Sequence, residues 1–185
     1  MDSALWALGR VSGIVSLAMF TGTVLLGIVN RSGRPLPAVP RFSVALIHRN
    51  TALLATLFLL MHIGSLMLDS YAKLNLVDVF VPFLGSFKPF WQGLGTVAFD
   101  LLAAVVLTGL LRHRLRQRTF RAVHWFAYAM WPIALAHSVG NGTNGTEKWF
   151  LALAAGSVVA VGGAMAWRLS SNFLENAKTR QRSLS

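Results

Sequence analysis

Apolar residues run along this chain in five long blocks, separated by polar connections rich in arginine. The first block spans 4–29 and holds one charge, Arg10. The second spans 42–68 with only Arg49, and the third spans 89–111 with only Asp100. The fourth, 122–139, is shorter but contains no Lys, Arg, Asp or Glu. The fifth, 149–167, is dominated by Ala, Gly and Val. A helix needs about 20 mostly apolar residues to cross the hydrocarbon core, and small residues let such helices pack closely in lipid. The pattern therefore predicts an all-α integral membrane protein, a bundle of five transmembrane helices. The first block is read as a retained helix, because it lacks the basic n-region and small-residue cleavage site of a secretory signal and is too long for one.

The connections add detail. Residues 71–88 mix Leu, Val and Phe with Asp78 and Pro82, too apolar for a free loop and too broken to span. An apolar interfacial segment capping the outer side of the bundle is expected there. Asn141 to Thr146 is a turn by composition. It also holds two Asn-x-Thr sequons, for which plain turn chemistry is the preferred reading. Residues 1–170 are expected to form the membrane domain, and 171–185 a short, basic, frayed cytoplasmic tail.

Composition fits this picture: 55% of residues are hydrophobic and only 12% charged, about half the charge of a soluble domain. The absence of cysteine excludes disulfides, thiolate metal sites and cysteine nucleophiles. A formal net charge of +11 does not argue for nucleic acid, because the bases lie in short loops. Arg31, Arg34 and Arg41, then Arg112, Arg114, Arg116, Arg118 and Arg121, then Arg168, Lys178, Arg180 and Arg182 fall on one side of the five-helix arrangement. Only Lys73, Lys88 and Lys148 fall on the other. Basic loops stay in the cytoplasm. A multi-pass cell-membrane protein with its N-terminus outside and its C-terminus in the cytoplasm follows.

Ionisable groups are costly in lipid and mark function by default. Of five histidines, His113 sits in the arginine-rich loop and is read as solvated. His48 and His62 lie on the second block, 14 positions apart; His124 and His137 lie on the fourth, 13 apart. At about 1.5 Å per residue these intervals are roughly 21 and 20 Å, two levels within a core about 30 Å thick. Both helices start on the cytoplasmic side, so His48 and His124 are expected near the inner surface, His62 and His137 near the outer. Two imidazoles on opposite sides of a flat macrocycle are what a six-coordinate haem iron requires, so two b-type haems are the leading expectation. Fourteen steps return to within about 40° of one helical face, but thirteen miss by about 140°. An irregularity near Met130 to Pro132 is expected to re-aim His137; the alternative is that Pro132 only kinks the helix. Arg49 is assigned to the inner haem's propionates, and Arg10 to the outer haem or an anionic acceptor beside it, with snorkelling to the interface as the alternative. Asp100 is left open between an arginine partner, a proton relay and a protonated acid. Trp125, Tyr128 and Trp131 are read as packing residues that could line haem faces.

These residues resemble the ferric reductase-like transmembrane domain, shared by ferric reductases and the membrane part of NADPH oxidases. The resemblance lies in His48-Arg49 with His62 fourteen positions on, then His124 and His137 thirteen apart. The cytochrome b of respiratory complexes is more evenly spaced. "GRPLPAVPRF", Ile47-His48-Arg49-Asn50 and "RAVHWFAYAMWPIALAH" look like short bacterial, actinobacterial members, and the likeness covers nearly the whole chain. It implies b-type haem, electron flow from the cytoplasmic to the outer face, and a membrane oxidoreductase role. The chain departs from larger members in lacking their additional N-terminal helix and any flavin or nicotinamide domain; no Gly-rich fingerprint is present. Electrons are therefore expected from a separate flavoprotein or quinol docking on the basic face. They would pass to ferric iron, dioxygen or a partner protein by outer-sphere transfer. Two alternatives stand beside this reading. One is a haem-binding membrane subunit that supplies electrons to a separate reductase, as in the methionine sulfoxide reductase system. The other is a small haem-free transporter or structural protein whose histidines handle protons or metal.

Overall fold

The computed structural model describes residues 2–32, 40–70, 72, 74–171 and 173, and it is helical in every long element. In chain order these are α1 (Asp2–Ser32), α2 (Arg41–Leu68), α3 (Leu76–Phe80), α4 (Pro89–Leu110), α5 (Gln117–His124), α6 (Phe126–Asn141) and α7 (Lys148–Leu169). A single 3-10 turn, Arg112–Arg114, links α4 to α5. Four helices are long and apolar enough to cross a membrane, Ser3–Ser32, Phe42–Leu68, Pro89–Leu110 and Lys148–Leu169, where the sequence pattern predicts five. The chain is a multi-pass membrane protein. The tail beyond residue 173 and the connection 33–39, with Arg34, lie outside the described residues, as do Tyr71 and Lys73.

The fourth expected span is divided. Trp125 interrupts it, leaving α5 on one side and a 16-residue α6 on the other. The irregularity expected at Met130 to Pro132 thus falls a turn or more earlier, and α6 continues through Pro132. At the break Tyr128 N–H bonds to the Trp125 carbonyl at 3.0 Å, three residues back, and Trp125 N–H is shared between the Arg121 carbonyl at 3.2 Å and the Ala122 carbonyl at 3.3 Å. Each such step turns the chain about 120° rather than about 100°. That tightening brings the bearings of His124 and His137 closer together.

α1 is the hub, packed against α2, α6 and α7, while α4 pairs with α6. Leu17, Phe20, Val24 and Ile28 follow one another at helical spacing on α1 and are buried against Ala98, Leu102, Met130, Trp131 and Phe150. Small polar residues lock the hub: the Ser16 hydroxyl donates to the Ala55 carbonyl at 2.9 Å, and the Trp131 indole donates to the Thr21 hydroxyl at 2.9 Å. Lipid offers no competing partner for such bonds. The remaining surface carries large exposed apolar side chains, including Leu53, Leu57, Leu60, Leu107 and Val159, as a lipid-facing surface must.

The 74–88 connection closes one end. Asn75 and Asp78 cap α3 reciprocally, and the Thr96 hydroxyl on α4 donates to the Asp78 carbonyl at 2.6 Å. Phe83, held at φ 68°, lays its ring on Gly93 so closely that a Cβ there would stand 2.2 Å from it. The same segment leaves Leu76, Val77, Phe80 and Leu84 exposed. Asn141 to Thr146 is a turn, with Gly145 N–H bonded to the Gly142 carbonyl at 3.0 Å.

Candidate functional site

Three of the four helical histidines are positioned by backbone. On α1, a carbonyl is followed one turn later by a glycine, twice: Gly9 with Gly13, and Thr23 with Gly27. His62 Nδ1 donates to the Gly9 carbonyl at 2.6 Å, and His48 Nδ1 donates to the Thr23 carbonyl at 2.9 Å. A Cβ on Gly13 would lie 2.8 Å from the His62 ring, and one on Gly27 would lie 3.2 Å from that of His48. Both glycines, both carbonyls and both histidines are 14 positions apart, so two antiparallel helices share one register. α4 repeats the device for His137, whose Nδ1 donates to the Trp91 carbonyl at 2.7 Å, with a Cβ on Gly95 only 2.6 Å from the ring. His124 differs. Its Nδ1 is buried without a hydrogen-bond partner among the described residues, and its ring packs against Phe120 with centres 4.8 Å apart.

A carbonyl can only accept, so each tethered Nδ1 carries its proton, and in the neutral ring Nε2 keeps a free lone pair. This is the arrangement that fixes tautomer and orientation in metal-ligating histidines. The histidines are also brought together in pairs, one by ring contact and one across a shared cavity. His48 and His124 lie with centres 6.4 Å apart and planes at 63°. A metal ion between two opposed imidazoles sets ring centres about 6 Å apart, from two bonds of about 2 Å and about 1 Å within each ring. His62 and His137 both line a cavity of about 300 Å3, within the usual range for cofactor sites. α2 therefore runs in the same direction as α5 and α6, with His48 level with His124 at the end of α5 and His62 level with His137 on α6.

The cavity's walls are mostly apolar, from Ile14, Leu17, Phe20, Leu59 and Phe150, with Arg10, Lys88, Asp78 and Asn141 among its polar members. Arg10 lies 4.3 Å from the Trp6 ring centre. Lys88 was not singled out by the sequence pattern; it also donates to the Gly140 carbonyl at 3.1 Å. Arg49 is exposed on α2 and lines neither described cavity. Neighbouring helical residues point about 100° apart, so a residue next to a ring-face histidine leaves that face. Near His124 the cations are Arg112, 5.5 Å from the Phe120 ring centre, and Arg168 of α7, which donates to the Tyr128 hydroxyl at 2.5 Å and lies 4.7 Å from the Trp125 ring centre. Trp131 is buried between the two histidine levels, and His113 is exposed. Asp100 is exposed on α4, with no charged partner among the described residues.

A family model described as the ferric reductase like transmembrane component matches residues 12–135. The chain belongs to this family. The match takes in His48, His62 and His124 and stops two residues before His137. For a ferric reductase-like transmembrane component, the family suggests a part in membrane electron transfer. No curated protein and no solved structure matches the chain.

Proposed function

We propose that this ferric reductase-like chain carries electrons across the bilayer as a di-haem, b-type membrane protein, with one haem held by His48 and His124 and a second by His62 and His137. The observation that carries the reading is the repeated tether: three imidazoles fixed through Nδ1 to carbonyls and packed on glycine, leaving Nε2 free. The donor count supports it as well. Among the described residues no group of three or more His, Cys, Asp or Glu converges, so a bare ion would find too few ligands. A macrocycle brings four of its own and needs only two from the protein.

When bound, haem would supply a reversible one-electron couple. The chain does the rest. Its carbonyls and glycines hold the imidazoles in one tautomer and one orientation. Its apolar walls keep water away, and Arg10 and Lys88 offer charged donors to carboxylates or to an anionic acceptor at the cavity end. Residues 117–141, about 36 Å of helix, form the fifth crossing as α5 and α6 together, and residues 1–170 make up the membrane domain. The arginine-rich connections lie on the cytoplasmic side. His48 and His124 then face a donor, a separate flavoprotein or quinol, and His62 and His137 face an outer acceptor such as ferric iron, dioxygen or a partner protein.

The purified protein, produced with adequate haem supply, should show b-type bands in a dithionite-reduced minus oxidised spectrum, with about two haems per chain. His48→Ala and His124→Ala should each leave the same residual spectrum, and His62→Ala and His137→Ala the complementary one. A colourless preparation overturns the reading, and an identical loss from His48→Ala and His62→Ala overturns the pairing.

A further inference from the structure

The tether of a carbonyl followed by a glycine one turn later occurs three times in use, at Gly9 with Gly13, Thr23 with Gly27 and Trp91 with Gly95. On α1 the two copies are 14 positions apart. On α4, 14 positions beyond Trp91 and Gly95 stand Val105 and Gly109. The register agrees. α4 and α6 pack together, and with His137 seated at Trp91 and Gly95, stepping thirteen residues back along the antiparallel helix reaches the level of Val105 and Gly109. The residue at that level is His124, the one paired histidine whose Nδ1 has no partner. Gly109 is correspondingly open, since a Cβ built on it would meet nothing within 4 Å.

We infer that Val105 and Gly109 form the fourth seat, and that His124 docks in it, Nδ1 donating to the Val105 carbonyl, when the His48/His124 site is loaded. The inference rests on the di-haem reading. Trp125, where α5 and α6 are joined by three-residue bonds, is the joint about which α5 turns to bring His124 in. The Thr108 hydroxyl, with one proton, donates more closely to the Ala104 carbonyl at 2.7 Å than to that of Val105 at 3.1 Å, just as the Ser12 hydroxyl donates more closely to the Leu8 carbonyl than to the Gly9 carbonyl that accepts from His62. Gly109 and Val105 are thus positioning residues, acting through His124.

Gly109→Ala tests this in the full-length, haem-loaded protein, because the open position by itself predicts no harm from a methyl group. Docking predicts otherwise. The low-spin EPR signal of the His48/His124 haem should shift, and that haem should pass to apomyoglobin about 10-fold faster, while the His62/His137 signal stays fixed. Gly163→Ala, at a second open position, should change neither signal. If Gly109→Ala retains both signals and both transfer rates, or alters the His62/His137 signal instead, the fourth seat is overturned. A wild-type protein without haem would instead refute the di-haem reading on which the seat depends.

Discussion

At the His62/His137 end, both imidazoles are tethered to carbonyls, both press on glycines, and both line one apolar cavity. At the His48/His124 end only His48 has that support. His124 ends a short helix, stacked on Phe120 and followed by a break. The first end is preformed, because it is built between continuous helices that pack against the hub. The second depends on an eight-residue helix tied to its neighbours through a 3-10 turn and one joint. Continuous helices transmit register over their whole length; a joint does not. A site therefore inherits rigidity from the elements on which its ligands stand.

The largest effects should come from filling the glycine contacts. Gly95→Ala puts a methyl carbon 2.6 Å from the His137 ring and should cost about 1–3 kcal/mol, as overpacking does, lowering the melting temperature and the haem content of that end. Gly13→Ala, at 2.8 Å, should follow, and Gly27→Ala, at 3.2 Å, should be mildest. Thermal melts of the three variants in one membrane mimic would give the order. Equal losses, or Gly27→Ala as the worst, would mean that the close packing at the cavity end is not what holds its rings.

A second, smaller difference concerns retention. A ring that must be seated before it binds well reduces the apparent affinity of its site, so the His48/His124 haem should transfer to apomyoglobin roughly 10-fold faster than its counterpart. Histidine variants that leave one haem at a time allow each rate to be read separately. Indistinguishable rates would remove the distinction between the two ends.

Much of the scaffold was legible in the sequence, because long apolar runs with one charge each leave little choice of element. α1, α2, α4 and α7 follow the expected blocks to within a few residues. The histidine quartet could be named for the same reason, as polar groups stranded in apolar surroundings. What surrounds it was harder. Tethers to backbone carbonyls leave no mark on residue type, and the only trace was that Gly13 and Gly27 repeat the His48 to His62 interval, as Gly95 and Gly109 repeat it again. Arg49 adjoins His48 in sequence and is exposed on α2. The break falls at Trp125, seven residues before Pro132, and α6 runs through the proline. Lys88 reaches the cavity only through a chain reversal at the start of α4, where its own φ is 41°.

The smallest effect should be one that leaves the contrast between the ends intact. Trp131 stands seven residues after His124 and six before His137 and is 5% exposed. Its indole N–H has one partner, the Thr21 hydroxyl, which in turn donates to the Leu17 carbonyl at 2.9 Å. Thr21→Val keeps the shape and removes the acceptor, leaving a buried donor unpaired. Inside a membrane protein such a loss averages well below the cost in water-soluble cores, about 0.6 kcal/mol with an upper range near 2. The Leu17 carbonyl keeps its helical partner, so the indole bears most of that cost. Because Trp131 lies between the levels, both histidine pairs should respond alike: a fall of a few degrees in melting temperature, with the ratio of the two haem signals unchanged. A variant that weakened only one end would tie Trp131 to that level and show that the hub does not buffer one pair from the other.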